Sequence, residues 1–391
     1  MNNTARLLFT GDVCFRNQPN LTAKEAEGVL AEVMLIFKAA DLRIMNLETP
    51  LAEEGVGEPI YKSGPNLIGR PQNLGFLTAA GCDCATLANN HTKDYGEEAL
   101  YATFDLLDKA GIARCGAGRS IEEAYKAWRV TVNGIKISLL SICENEFGIA
   151  DVNLSGTAGF DLERLGDKLI EEKAVSDFVI VMFHGGCEQN PLPSPLCVER
   201  YRTIIRLGAD ALVGGHTHCM QGWEMYNGKP IIYSMGNFFF HWSKPNGDPW
   251  CRGYMTQLTL CGECGKITVE LIPYRQDLGA NVIRLLDGQT LTDTMAYIDR
   301  LSAIIQDRGE LIRLYKGWCM ISGLGYAERL VSKPEYFDPA GQPPAIAPLK
   351  NLLSCEAHNE LMRTLLNLTF AGELNDALVW ADEVRELQKM P

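Results

Sequence analysis

Short apolar runs alternate with longer segments of helical period over roughly the first two thirds of the chain. Each run is four to six residues long, which predicts a buried strand. The predicted strands cover residues 7–10, 42–45, 84–87, 178–183 and 211–214. Apolar residues recur with helical period in the segments 23–40, 97–110 and 195–207. This alternation predicts an α/β fold with a layered sheet.

Two Asn-Gly pairs predict tight hairpins in the same part of the chain. Asn133-Gly134 and Asn227-Gly228 each lie between two strand-like runs, and this dipeptide suits the positive φ angles of a two-residue turn. A third hairpin is predicted near residues 261–265, where Cys261 and Cys264 match half of a zinc site without a second pair. The sheet is therefore expected to be mixed, with antiparallel strands added late.

The last third of the chain changes to helical periodicity. The helical segments are residues 291–308, 310–318 and 357–389, with a proline-rich break at 333–348. We therefore predict two parts, a core domain over residues 1–276 and a helical C-terminal region over 277–391. The expected fold class is α/β, a layered mixed β-sheet sandwich flanked by helices, with a C-terminal helical appendage.

Composition narrows the class of protein. The 391 residues are 46% hydrophobic and carry a formal net charge of −13, which argues against nucleic acid or an anionic membrane as the main partner. No window approaches the roughly 20 apolar residues of a membrane span. The N-terminus lacks a signal-peptide pattern, and the 13 cysteines form no regular framework. We therefore expect a cytoplasmic protein with reduced thiols.

Polar side chains follow the ends of the predicted strands. Because ligands of open α/β sheets bind beyond the carboxyl ends of strands, we expect these groups to converge. They are Asp12, Asn46, Glu48, Asn90, His91, Asp94, His184, Glu188, His216 and His218. Buried carboxylates and imidazoles together need a counter-charge, and both are ligands of divalent cations. The sequence therefore predicts a metal centre with one or two divalent ions, either Mn, Fe or Zn.

These blocks resemble a known family. The matching segments are Gly11-Asp12, Asn46-Leu47-Glu48, Ala88-Asn89-Asn90-His91 with Asp94, His184-Gly185-Gly186 with Glu188, Gly215-His216-Thr217-His218, and Tyr233-Ser234-Met235-Gly236-Asn237-Phe238. Together they resemble the capsule-synthesis protein CapA family of poly-γ-glutamate production, which is itself similar to calcineurin-like metallophosphoesterases. The resemblance covers about residues 6–272 and implies a metallophosphatase-like fold.

The resemblance also implies roles for individual residues. Asp12, Glu48 and His218 would hold one ion, and Glu48, Asn90, His184 and His216 the other, with Glu48 bridging. His91 would be the general acid, oriented by Asp94, and water activated by the metal would be the nucleophile. Metallophosphoesterases usually carry Asp-x-His in the first block, whereas this chain has Asp12-Val13-Cys14. The ion on the Asp12 side is therefore expected to be weak or absent, with Cys14 as a buried thiol in preference to a soft ligand.

Substrate contacts are predicted at the mouth of the site. The candidates are Arg16, Lys62, Arg70, Glu188 and Asn237, with the loop 145–148 also reaching the cleft. The expected function is hydrolysis of an amide (γ-glutamyl) or phosphoester bond in a small molecule or a glutamyl polymer. Two alternatives stay open, a non-catalytic accessory protein that binds polyglutamate or a partner, and a nucleotide or sugar phosphatase. The helical tail is a candidate surface for homo-oligomer formation.

Overall fold

The computed structural model describes residues 3–16, 21–241, 249–330 and 346–390. Within these ranges the chain forms sixteen strands and twelve α-helices. The strands are β1 (Thr4–Cys14), β2 (Leu42–Leu47), β3 (Cys84–Thr86), β4 (Ala113–Cys115), β5 (Ala117–Gly118), β6 (Trp128–Val132), β7 (Ile135–Cys143), β8 (Gly156–Thr157), β9 (Phe178–His184), β10 (Ala211–Gly215), β11 (Trp223–Tyr226), β12 (Lys229–Ile232), β13 (Asn237–Phe240), β14 (Arg252–Cys261), β15 (Ile267–Asp277) and β16 (Val282–Leu285).

The helices fall into an early group, interleaved with the strands, and a late group that follows them. They are α1 (Ala23–Val29), α2 (Met34–Ala39), α3 (Leu74–Ala80), α4 (Gly96–Lys109), α5 (Ile121–Ala124), α6 (Leu162–Lys173), α7 (Pro195–Leu207), α8 (Gly288–Gln306), α9 (Arg308–Ala327), α10 (Ile346–Ser354), α11 (Glu356–Ala371) and α12 (Leu374–Gln388). Their ends carry ordinary signals. Ser194, for example, accepts a hydrogen bond from the Cys197 N–H and so caps α7, whose first residue is Pro195.

The strands form two mixed sheets. The first has the order β16-β15-β14-β1-β2-β3-β4, and β13 also pairs with β1. Its strands β1 to β4 run parallel, while β14 to β16 are antiparallel additions. The second sheet has the order β11-β12-β10-β9-β7-β6, with β9 parallel to both β10 and β7. A third, two-stranded sheet joins β5 and β8.

Alternating side chains of β1 show how the layers stack. Leu7 and Phe9 are buried in a core that they share with the second sheet, whereas Leu8 is buried on the opposite face with residues of α1 to α4. Since successive strand residues point to opposite faces, the first sheet is covered on both sides. Helices α6 and α7 pack on the second sheet. The predicted α/β sandwich flanked by helices is confirmed.

The C-terminal helices share the core of the sandwich. Ile298 of α8, Leu314 of α9 and Leu361 of α11 belong to the same buried cluster as Ile180 of β9. The first sheet also continues past residue 276, because β16 ends at Leu285. The C-terminal helices therefore contribute side chains to the core of the sandwich. The division into domains at 276/277 stays a prediction.

Three predicted helical segments differ in the structure. The segment 23–40 forms two helices, α1 and α2, separated by turns in which Leu30 and Val33 are buried. The segment 357–389 is divided at Gly372, which ends α11 with a left-handed φ of 74°. Helix α9 runs on to Ala327, well beyond residue 318. Most of the proline-rich break lies outside the described residues, and its last part already begins α10.

The remaining sequence predictions concern the hairpins, the cysteines and membrane-spanning segments. Both Asn-Gly pairs form the predicted turns, and the segment between β14 and β15 is a hairpin that contains Cys264. None of the 13 cysteines is paired in a disulfide. Among the described residues, no helix combines the length and the apolar character that a membrane crossing requires.

Candidate metal centre

The two sheets bring the ends of four parallel strands together. Asp12 near the end of β1 is in register with Asn46 of β2, and His184 at the end of β9 is in register with Gly215 of β10. The space beside β10 exists because Gly215 lacks a side chain, since a Cβ there would lie 3.0 Å from Asp12 Oδ1. His216 and His218 follow directly after β10 and so enter the same place.

Glu48 lies at the middle of this group. It directly follows β2, is fully buried, and has its Oε1 3.7 Å from His184 Nε2 and 3.8 Å from His218 Nε2. Neither of its carboxylate oxygens has a hydrogen-bond partner. Burial raises the pKa of Glu48, and the nearby Asp12 carboxylate raises it further. An ionised carboxylate in this position costs several kcal/mol unless a cation offsets the lost solvation.

The possible ligand atoms form two sets that share Glu48. Among the described residues, the groups of three or more candidate ligands are Glu48 with His184 and His216, and Asp12 with Glu48 and His218. Within each set the ligand atoms lie within 4.8 Å of one another, and all five residues are buried. We call these the His184 set and the Asp12 set. The division is the one that the resemblance implied, and ligation itself stays a prediction.

The surroundings of His184 and His218 favour the neutral imidazole, which is the form that binds metals. Burial lowers the pKa of His184, and His216 and His218 lower it further, so the neutral ring is favoured. Burial also lowers the pKa of His218. His216 Nδ1 lies 3.1 Å from His184 Nε2, and Asn90 Oδ1 lies 3.2 Å from the same nitrogen. Asn90 therefore adjoins the His184 set, where it was expected.

The backbone is strained at both histidines that follow β10. His216 has a φ of 95° and His218 a φ of 54°, values that residues other than glycine rarely adopt. The His216 N–H donates to Asp12 Oδ2 at 3.1 Å, which ties the strained segment to the opposite sheet. Such strain costs of order 1–3 kcal/mol per residue and is typical of functional sites.

His91 and Asp94 lie beside the His184 set, immediately after Asn90. Asp94 Oδ2 is 2.6 Å from His91 Nδ1 and also accepts the Leu67 N–H at 2.7 Å. The second carboxylate oxygen of Asp94 is 2.5 Å from Lys62 Nζ. Burial lowers the pKa of His91, as does the Lys62 ammonium, while Asp94 acts in the opposite direction. The ring is therefore fixed through Nδ1, with Nε2 left for other contacts.

A comparison of sequences now assigns the family. The family model described as the bacterial capsule synthesis protein PGA_cap matches residues 6–242, which include every residue of both sets. The chain belongs to this family. The prediction of membership is thereby confirmed.

The names of three similar proteins agree with this family. The chain is 30% identical over 240 residues to the PGA biosynthesis protein CapA of Bacillus subtilis (strain 168), covering 59% of this chain and 62% of the relative. It is 27% identical over 219 residues to the capsule biosynthesis protein CapA of Bacillus anthracis, covering 54% and 53%. A probable polyglutamine synthesis accessory protein of Mycobacterium tuberculosis (strain ATCC 25618 / H37Rv) is 27% identical over 216 residues, covering 51% and 55%. The chain thus spans between half and two thirds of these relatives.

Solved structures give looser likenesses. A hypothetical protein from Thermus thermophilus superposes with a TM-score of 0.44 at 18% identity, covering 69% of this chain and 99% of that one. A 5'-nucleotidase precursor from the same organism gives 0.43 at 15% identity, covering 72% and 55%. Likenesses at these TM-scores carry no argument about the function of this chain.

The five predicted substrate contacts are placed differently from one another. Glu188 is exposed in the loop after β9, Arg16 is exposed just beyond β1, and Arg70 gives its backbone N–H to Asn73 at 2.7 Å. Contact with substrate stays a prediction for these three residues.

Lys62 and Asn237 are instead buried against site residues. The Lys62 side chain is 2% exposed and its Nζ contacts Asp94 and, at 3.0 Å, the Asn90 carbonyl oxygen. Asn237 is fully buried behind His218, with its Oδ1 2.9 Å from His218 Nδ1. Lys62 thus contacts the support of His91, and Asn237 contacts His218 directly. Contact with substrate stays a prediction for these two residues as well.

Several neighbours of the two ligand sets were assigned neither metal ligation nor substrate contact in the sequence prediction. Asn46 Nδ2 lies 2.7 Å from Asp12 Oδ1, and the Trp250 ring packs on His218 with centroids 4.4 Å apart. Glu146 belongs to the loop that was expected to reach the cleft, and its Oε1 is 3.7 Å from His216 Nε2. Cys14 is buried in an apolar cluster with Trp250, and belongs to neither ligand set. Asn46 and Glu146 had signals in the sequence, the first as a polar group at a strand end and the second in the loop 145–148, whereas Trp250 had none.

Proposed function

We propose that this chain is a divalent-metal-dependent hydrolase that cleaves an amide bond of γ-glutamyl type or a phosphoester bond. The observation that carries the proposal is the buried Glu48 carboxylate. Its two oxygens lack hydrogen-bond partners and lie between two groups of candidate ligands. Such a carboxylate is costly in a protein without a cation and useful in one that binds two.

The donor atoms of the site fit divalent ions of the Mn, Fe and Zn type. Each set combines carboxylate oxygen with imidazole nitrogen, which these metals accept. Glu48, His184 and His216, with Asn90 beside them, would hold one ion, and Asp12, Glu48 and His218 the other. The Asp12 set offers only three residues, because Cys14 lies in its apolar cluster. We therefore expect one tighter and one weaker site.

The chain's own residues would guide the proton. When bound, divalent cations polarise the bond under attack and activate water. His91 is held at Nδ1 by Asp94, so that Nε2 is the atom that exchanges a proton with the substrate. A lowered pKa makes the protonated His91 ring a stronger proton donor to the leaving group. His91 is thus the proposed general acid, and Asp94 with Lys62 its support.

The names of the relatives support the proposed substrate class. The names of the two Bacillus relatives refer to PGA and capsule biosynthesis, which favours a glutamyl substrate. A second candidate is a non-catalytic accessory protein, favoured by the word accessory in the name of the mycobacterial relative. The buried pair of His91 and Asp94 favours the enzyme, because a binding protein has no need of an oriented proton donor.

Metal content is the first test. Elemental analysis of the wild type is expected to give about two equivalents of a divalent metal. His184→Ala and His218→Ala should each lower that number, whereas His241→Ala, which changes a histidine of neither set, should leave it unchanged. No bound metal in the wild type, even after incubation with Mn, Fe or Zn, would contradict the proposal.

Turnover separates the two candidates. The metal-loaded protein is assayed on γ-glutamyl oligomers and on a panel of nucleotide and sugar phosphoesters. We expect hydrolysis of one class, and His91→Ala should retain its metal while kcat falls about 10²- to 10⁴-fold. A metal-loaded protein without activity on either class, and with affinity for polyglutamate, would support the accessory role instead.

A further inference from the structure

The C-terminal helices reach the candidate metal centre, although they lie outside the segment that matches the family. Asn351 of α10 is buried, and its Nδ2 lies 3.1 Å from Glu146 Oε2. On the same helix, Lys350 Nζ lies 2.5 Å from the Glu146 carbonyl oxygen. Helix α10 therefore contacts both the side chain and the backbone of Glu146.

Glu146 connects this helix to a candidate ligand. Its Oε1 faces His216 Nε2 at 3.7 Å, while His216 Nδ1 faces His184 Nε2 at 3.1 Å. One nitrogen of His216 thus points into the His184 set, and the other points to a carboxylate outside it. The 3.7 Å separation is longer than a hydrogen bond, so Glu146 acts on His216 electrostatically. A carboxylate beside a ligating histidine favours the proton on the nearer nitrogen and makes the other nitrogen a better donor.

The segment that carries Glu146 is held by a second C-terminal residue. Glu356 of α11 accepts the Asn145 N–H at 2.9 Å and the Asn145 Nδ2 group at 2.6 Å. The side chain of Asn351 can only present its NH₂ group to Glu146, because the carbonyl oxygen would face a carboxylate of like polarity.

We propose that α10 completes the metal centre, with Asn351 and Glu146 acting as positioning residues for His216. The proposal rests on the proposed function, because it assumes that His216 binds an ion. It gives the C-terminal helices a role that no motif indicates, control of the affinity of the His184 set. The Asp12 set contains neither His216 nor a contact to α10, and its affinity should not depend on them.

The test is a metal titration of the full chain with Co²⁺, followed by visible absorption and by competition with a chelator. Glu146→Gln and Asn351→Ala are expected to weaken the His184 set about 10- to 100-fold and to leave the Asp12 set unchanged. Asn351→Asp, which sets two carboxylates against each other, should weaken it at least as much. Glu360→Gln is the matched control, because Glu360 of α11 binds the Leu196 N–H at 3.0 Å, away from Glu146.

The outcomes separate this inference from the proposed function. A wild type that binds two ions, with unchanged affinities in Glu146→Gln and Asn351→Ala, would overturn the inference alone. Equal weakening of both sets in these variants, shared by Glu360→Gln, would indicate a structural role and also overturn it. A wild type that binds no Co²⁺ overturns both proposals, whereas selective weakening without any hydrolytic activity supports the inference and not the enzyme.

Discussion

The two ligand sets share one carboxylate and differ in almost everything around it. In the His184 set, His216 has the charged Glu146 behind it, and Asn90 offers a further oxygen 3.2 Å from His184. In the Asp12 set, His218 has a neutral amide behind it, that of Asn237, and its ring packs on Trp250. His216 is thus supported by a carboxylate, and His218 by an amide and an aromatic ring.

This difference bears on affinity. A carboxylate behind a ligating histidine increases the electron density on its metal-facing nitrogen more than an amide does. The Asp12 carboxylate is also shared, since it accepts hydrogen bonds from Asn46 and from the His216 N–H. A symmetric pair of sites is therefore not expected, even though Glu48 joins both sets.

Glu48→Gln should have the largest effect, because it changes the one residue of both sets. We expect loss of both ions and of any activity that depends on them. At an ion concentration 100 times Kd, binding to one site stabilises a folded protein by about 2.7 kcal/mol. The wild type should therefore gain thermal stability on addition of metal, and the variant should not.

The same variant should behave in the opposite way without metal. Burial raises the pKa of Glu48 above 4.5, so the stability that its neutral form allows is lost as the pH rises through the folded-state pKa. Glutamine cannot ionise, so metal-free Glu48→Gln should have the higher Tm at pH 8 and approach the wild type at pH 4. The buried Glu172 is paired with Arg129, so Glu172→Gln should instead lower Tm. A lower Tm of metal-free Glu48→Gln at pH 8 would contradict this account.

Asn237→Ala tests the support of the Asp12 set. The Asn237 amide fixes His218 through Nδ1, and removing such an outer partner typically lowers metal affinity about 10- to 100-fold. We expect that loss in the Asp12 set alone, measured by titration with Co²⁺. Asn237→Ala should weaken the Asp12 set, whereas Glu146→Gln should weaken the His184 set. Weakening of the same set by both variants would show that the two supports are not independent.

Strand ends explain why much of the site was visible in the sequence. Asp12, Glu48, His184 and His216 each lie within three residues of the end of an apolar run, and parallel strands bring such positions to one edge. The same reasoning predicted the layered fold, since the apolar runs are the strands themselves. It failed on helix length where no strong signal exists, as in the turns at Leu30 and Val33.

Contacts between distant segments could not be predicted in this way. Asn351 and Glu146 are 205 residues apart, and nothing in the local pattern of α10 indicates a polar residue facing a metal centre. Lys62 was predicted to contact substrate at the mouth of the site, and only the fold shows that its ammonium is buried against Asp94. Spacing predicts which strand end a residue belongs to, and packing decides whether it faces the substrate or another side chain.

Cys14→Ala should have the smallest effect, and it tests whether Cys14 is a further ligand of the Asp12 set. Cys14 is fully buried in an apolar cluster, and burial raises the pKa of its thiol well above the usual range, which disfavours the thiolate that a metal requires. We expect a loss of about 1 kcal/mol in unfolding free energy from the small cavity. Metal content should be unchanged, as in the control Cys115→Ala, which removes a buried thiol outside both sets. Selective loss of the weaker ion in Cys14→Ala alone would make Cys14 a ligand, and the two sets would then be more nearly equal than their surroundings indicate.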